Sequence, residues 1–93
     1  MSEPIAFTKQ QRDLARHALG LPNRRKQSYR NSFITGPGSI DYDAWMAMVG
    51  MRAAVQHAGS PLTGGDPCFV LTRGGAEMAL NDGEKLDPED FPP

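Results

Sequence analysis

Ninety-three residues with a single cysteine make one small domain that holds no internal disulfide and no multi-cysteine zinc site. No apolar run approaches the roughly 18 residues of a membrane helix and no secretory pattern opens the chain, so a protein of the reducing cytoplasm is expected. The net charge of −1 conceals a split, since residues 1–30 carry +5 and residues 31–93 carry −6, which points to a basic contact surface and an acidic remainder.

In chain order, Met1 to Phe7 reads as a short leader from which Ile5 and Phe7 reach the core. Thr8 with Gln11 three positions on is a capping box, and Leu14, Ala15, Ala18 and Leu19 share one side of a helical repeat. Lys9, Arg12 and Arg16 share the other. Gly20, Leu21 and Pro22 then stop the helix, which the spacing places over Lys9–Leu19. Asn23 to Gln27 is a loop whose consecutive Arg24, Arg25 and Lys26 must face water or a polyanion. Tyr29 and Arg30 follow at once, an aromatic face and a guanidinium of the kind a phosphate backbone contact uses.

Gly36, Pro37 and Gly38 force a turn. After it, Asp41 reads as an N-cap, Asp43 as a first-turn acid, and Ile40 as a staple on Trp45. The second helix is expected from Tyr42 to about Met51, with Tyr42, Trp45, Met46 and Val49 as its apolar stripe and Met48 and Met51 widening it. Ala53–Gln56 reads as a strand paired with Cys68–Thr72 across the turn-rich AGSPLTGGDP, a hairpin in the shape of a wing. Thr72 caps a short third helix, RGGAEMAL, weakened by Gly74 and Gly75. Charged residues and two final prolines make 81–93 an expected disordered acidic tail behind a single domain, 1–80. Leu14, Ala18, Trp45, Val49, Phe69 and Leu71 are the expected core.

The order helix, helix, hairpin, helix, with FVLTRGGAEMAL as wing strand and following helix, resembles the winged-helix class. More narrowly, YRNSFITGPGSIDY and SPLTGGDPCFVLT are similar to small phage- and prophage-encoded winged-helix-like proteins of no agreed function. The resemblance implies an α+β fold with two main helices, a β-hairpin wing and a short C-terminal helix. Two positions depart from it, Arg52 where a turn glycine is expected and Gly74 as an extra glycine. A third departure is larger, because the segment before Tyr42 is too rich in Gly, Pro and Arg to supply the partner helix of a helix-turn-helix.

Chemistry-bearing motifs are sparse. Asp41 and Asp43 are explained by helix capping, and GPGS lacks the lysine and spacing of a phosphate loop. His17, His57 and Cys68 would make a metal site only if the fold joined all three. A non-enzymatic protein without cofactor or metal is therefore expected. Two binding classes remain. One is a nucleic-acid-associated accessory protein using Lys9, Arg12, Arg16, Arg24, Arg25, Lys26, Tyr29 and Arg30; aspartates at the start of the second helix make that helix a poor reader of bases. The other is a module that docks on a host or phage protein through Tyr29, Phe33 and Trp45 or through the wing.

Overall fold

The computed structural model describes residues 6–92. Ile5 lies outside them, while Phe7 packs against the edge of the core. In chain order the elements are α1 (Lys9–Leu19), β1 (Phe33–Ile34), α2 (Ile40–Gly50), β2 (Ala54–His57), β3 (Cys68–Leu71) and α3 (Arg73–Met78). The strands form an antiparallel sheet in the order β1-β3-β2. The chain is thus α+β, with three helices and a hairpin, an arrangement compatible with a small winged-helix-like domain.

α1 has the expected bounds and the expected caps. Thr8 accepts from the Gln11 amide, Gln11 returns a bond to the Thr8 amide, and Gly20 closes the helix in the left-handed region at φ 80°. Its orphan carbonyls are taken up by the segment that follows Pro22: Tyr29 donates to Leu19 and Ser32 to Ala18. That bonding lays residues 28–32 back along the end of α1.

α2 starts earlier than the carboxylates suggest. Ser39 is the N-cap, accepting from the Asp41 amide, so Asp41 and Asp43 are both first-turn acids that complement the helix dipole rather than caps. Ile40 is 75% exposed and makes no staple. The buried face is Ala44, Trp45 and Met48, with Val49 only half-buried and Met46 turned outward. Trp45 stacks on Phe69 at 5.5 Å between centroids and meets Phe33 at 5.4 Å. This cluster is the centre of the core, to which Ala18 and Leu71 are buried as expected and Leu14 only partly.

β2 and β3 pair Ala54 with Leu71 and His57 with Cys68. The hairpin is the expected one, with β2 shifted one residue along the chain and β3 starting at Cys68 as expected but ending one residue earlier, at Leu71. Phe69 and Leu71 face the helices, as alternation requires. β1 is two residues long, and the Asn31 side chain extends it by bonding both the N–H and the C=O of Leu71, at 2.8 and 3.0 Å. A single amide thereby does what a further strand residue would do. Arg52, placed where a glycine was expected, has φ 63° and so turns the chain in the left-handed region itself. Thr72 caps α3. Gly75 lies so close to the Ala53 carbonyl that a methyl group there would overlap it, whereas Gly74 faces open space.

The expected disordered tail is folded. After α3 the chain returns along α1 and the 23–30 loop, burying Phe91. Arg16 donates through both guanidinium nitrogens to Glu84, at 2.6 and 2.8 Å, and also to the Ala79 carbonyl at 2.8 Å. Ser28 Oγ accepts from the Asp87 amide at 2.8 Å, and Arg73 donates to the carbonyls of Phe91 and Pro92. Charge and proline discourage regular structure here but not packing. Side-chain and backbone bonds to α1 and to the loop replace the missing helix or strand.

Candidate nucleic-acid interface

The eight residues expected to form one basic surface divide into two sets. Lys9, Arg12 and Arg16 are engaged within the chain. Lys9 pairs with Asp13 at 2.8 Å, an exposed link one helical turn along. Arg12 donates to the Leu80 carbonyl and the Asn81 side chain. Arg16, expected on the solvent side of α1, has a side chain only 9% exposed, and that of its partner Glu84 is 7% exposed. The hydrogen bond from Arg16, against the cost of burial, holds the Glu84 carboxyl down at about 2, and the Glu84 carboxylate in turn raises the Arg16 pKa. A guanidinium so occupied is not available to a phosphate.

Arg24, Arg25 and Lys26 form the second set. All three are exposed and none of their side chains has a hydrogen-bond or ion-pair partner among the described residues. The loop that presents them is shaped from within. Asn23 Nδ2 donates to the carbonyls of Gly20 and Gln27, at 3.0 and 2.9 Å, and its own carbonyl accepts from the Lys26 amide. Closing so tight a turn puts Lys26 at φ 53°, a conformation that side chains other than glycine seldom adopt. The sequence carries no sign of this beyond the Asn23 at the turn's start.

Lys85 joins this set, and the sequence reading missed it. Its amide donates to the Lys26 carbonyl at 2.9 Å and its carbonyl accepts from Ser28 at 3.0 Å, a parallel bridge between Gln27 and Lys85. The apolar Leu86 and Phe91 on either side of Pro88 were the only signal that this segment returns to the body. Tyr29 is 59% exposed, its ring lying against Gly20, and the Arg30 guanidinium sits over it at 5.3 Å. Arg30 also donates to the His17 carbonyl at 2.7 Å. This bond fixes the guanidinium plane at the end of α1.

The three residues of the docking alternative fare differently. Trp45 is fully buried and Phe33 is half-buried against it, so of the three only Tyr29 remains at the surface. Leu62, in the hairpin loop, is 97% exposed. His57 and Cys68 face each other across the strand pair, while His17 lies on α1 with its ring edge-on to Phe33 at 5.3 Å. Among the described residues no group of three His, Cys, Asp or Glu is placed to hold a metal ion, and no helix is long and apolar enough to cross a membrane.

Searches of protein-family models, curated proteins and solved structures find no match to the chain.

Proposed function

We propose that the chain is a non-enzymatic accessory protein, of the phage and prophage kind its sequence resembles, and that it takes nucleic acid on the loop from Asn23 to Arg30. The observation that carries this reading is the concentration of Arg24, Arg25, Lys26 and Lys85 around one turn, with Tyr29 and Arg30 beside them. Phosphate attracts such a cluster without regard to sequence, and its contacts position rather than specify. Arg12 and Arg16, tied up elsewhere, have no part in it, while Lys9 stays exposed on α1 beside Asp13. On this reading the protein works in the cytoplasm, where its free cysteine stays reduced.

The test is binding of a labelled DNA by the parent and by a variant with Arg24→Ala, Arg25→Ala and Lys26→Gly. Glycine at 26 removes the charge and keeps the backbone at φ 53° unstrained. Affinity should fall by a similar factor for every sequence, and the log–log salt slope should flatten by up to about 2.7 if each cation holds one duplex phosphate. Absence of binding by the parent at about 50 mM salt would end this reading. A second reading, a module that docks on a host or phage protein, rests on the 97% exposure of Leu62 at the hairpin loop. It requires that capture of a partner from host lysate survive nuclease and be lost on Leu62→Ser.

A further inference from the structure

We infer that the ligand of this loop is single-stranded nucleic acid, with a base held in each of two hollows, the first walled by Tyr29 and the second by Arg30. The inference rests on the nucleic-acid reading above and names the form of the ligand. The first hollow, about 420 Å³, is walled by Arg24, Arg25, Tyr29 and Asp87. The second, about 330 Å³, is walled by His17, Arg30 and Phe33. Each is of the size that takes a small organic group. Tyr29 of the first hollow and Arg30 of the second are consecutive in the chain, the guanidinium over the ring at 5.3 Å.

Flat groups line both hollows: the Tyr29 ring in the first, and in the second the Arg30 guanidinium with the His17 and Phe33 rings set edge to face at 81°. A duplex keeps its bases stacked inside and offers phosphates outside, so it has no group to place in such hollows. An unpaired strand does, because each base has a face that stacks on an aromatic ring or a guanidinium while the phosphates track the cations at the rim. Arg24 and Arg25, which line the first hollow, supply that rim.

Asp87 sets the orientation in the first hollow. A carboxylate there repels a phosphate and accepts from an N–H, so the base goes in and the phosphate stays at the rim. One Asp87 oxygen already accepts from the Glu89 amide at 2.9 Å, which leaves the other for an N–H of the base. Adenine, cytosine and guanine offer an exocyclic amino group there and thymine its N3–H, so the carboxylate orients the base without selecting among the four.

The experiment is fluorescence anisotropy with a labelled DNA of about 12 nucleotides, within the usual span of single-strand sites, alone and annealed to its complement. The full chain is compared with Tyr29→Ala, Tyr29→Phe and Arg30→Lys, each checked for its melting temperature. The single strand should bind more tightly than the duplex. Tyr29→Ala should weaken the single strand about tenfold, the loss expected for one stacked base, while Tyr29→Phe keeps the stack and the affinity. Arg30→Lys, which keeps the charge and loses the plane, should also weaken it. Equal binding of both forms with no effect of Tyr29→Ala or Arg30→Lys would overturn the inference. The basic-loop reading would stand in that case if the triple variant weakened both forms. Should neither form bind the parent, both fall together.

Discussion

Replacing Glu84 by Ala leaves the Arg16 guanidinium, 9% exposed, without the carboxylate that both of its terminal nitrogens address. Removing one member of a buried pair strands the other, and the expected loss is about 3–5 kcal/mol in urea unfolding at neutral pH. Glu84 also accepts from the Asn81 amide at 2.7 Å, so the alanine variant loosens the turn into the last segment as well. The pair makes stability depend on acid. Glu84 has a pKa of about 2 in the folded chain, below the ordinary carboxylate value of about 4.3. Its contribution is therefore complete above roughly pH 5 and is lost as the pH falls toward 2. In Glu84→Gln the stability lost between those limits should be visibly smaller than in the parent; equal acid slopes would show that the pair carries none of it. Arg16 could not be placed from its own neighbourhood. Its helical spacing puts it with Lys9 and Arg12, and the partner that buries it lies 68 positions away in a stretch with no periodic pattern.

The short helix α3 joins two glycines of opposite consequence. Gly75→Ala would drive a methyl group into the Ala53 carbonyl at the end of the β2 approach, and overpacking of that kind costs about 1–3 kcal/mol. Gly74→Ala meets nothing within 4 Å and should stabilise the helix by about 0.5–1 kcal/mol. Thermal melts of the two variants should move in opposite directions from the parent; movement the same way would show that α3 is not held as described. Composition alone does not separate the two, since both count equally against a helix. Elsewhere the elements were legible where a local rule had no rival: Thr8, Gln11 and Gly20 mark α1, and the alternation of Cys68 to Leu71 marks β3. They were misread where two rules competed. At α2 both Ser39 and Asp41 are good caps, and the serine, nearer to the Gly36–Pro37–Gly38 turn, is the one with extended backbone. The candidate site was legible as to residue type, three cations and an aromatic, but its membership was not. Which cations stay free is decided by tertiary partners.

Across the whole molecule the charge split seen in the sequence becomes a contact, because part of the acidic remainder folds back on the basic first third. Residues 81–93 hold five carboxylates and one lysine, and the described part of that segment closes over α1 and the 23–30 loop through Glu84, Asp87 and Phe91. A chain ended after Leu80 would lose the Arg16 partner, the cover that Phe91 provides and the Lys85 bridge to the loop. It should unfold at a much lower urea concentration than the full chain and, on the nucleic-acid reading proposed above, bind DNA more weakly even where folded. A truncated chain as stable as the parent would restore a free tail. The core does not depend on this segment for its aromatic cluster, which β1, α2 and β3 supply.

The bond between Arg16 and Glu84 also sets an order of events during synthesis. Arg16 leaves the ribosome long before its partner has been made, so α1 waits with an uncompensated cation on the face it will later bury. Contacts this distant in sequence form late and slow folding. The domain therefore closes after translation has passed Glu84, and until then the basic first third is open to any polyanion nearby, the ribosome's own RNA included.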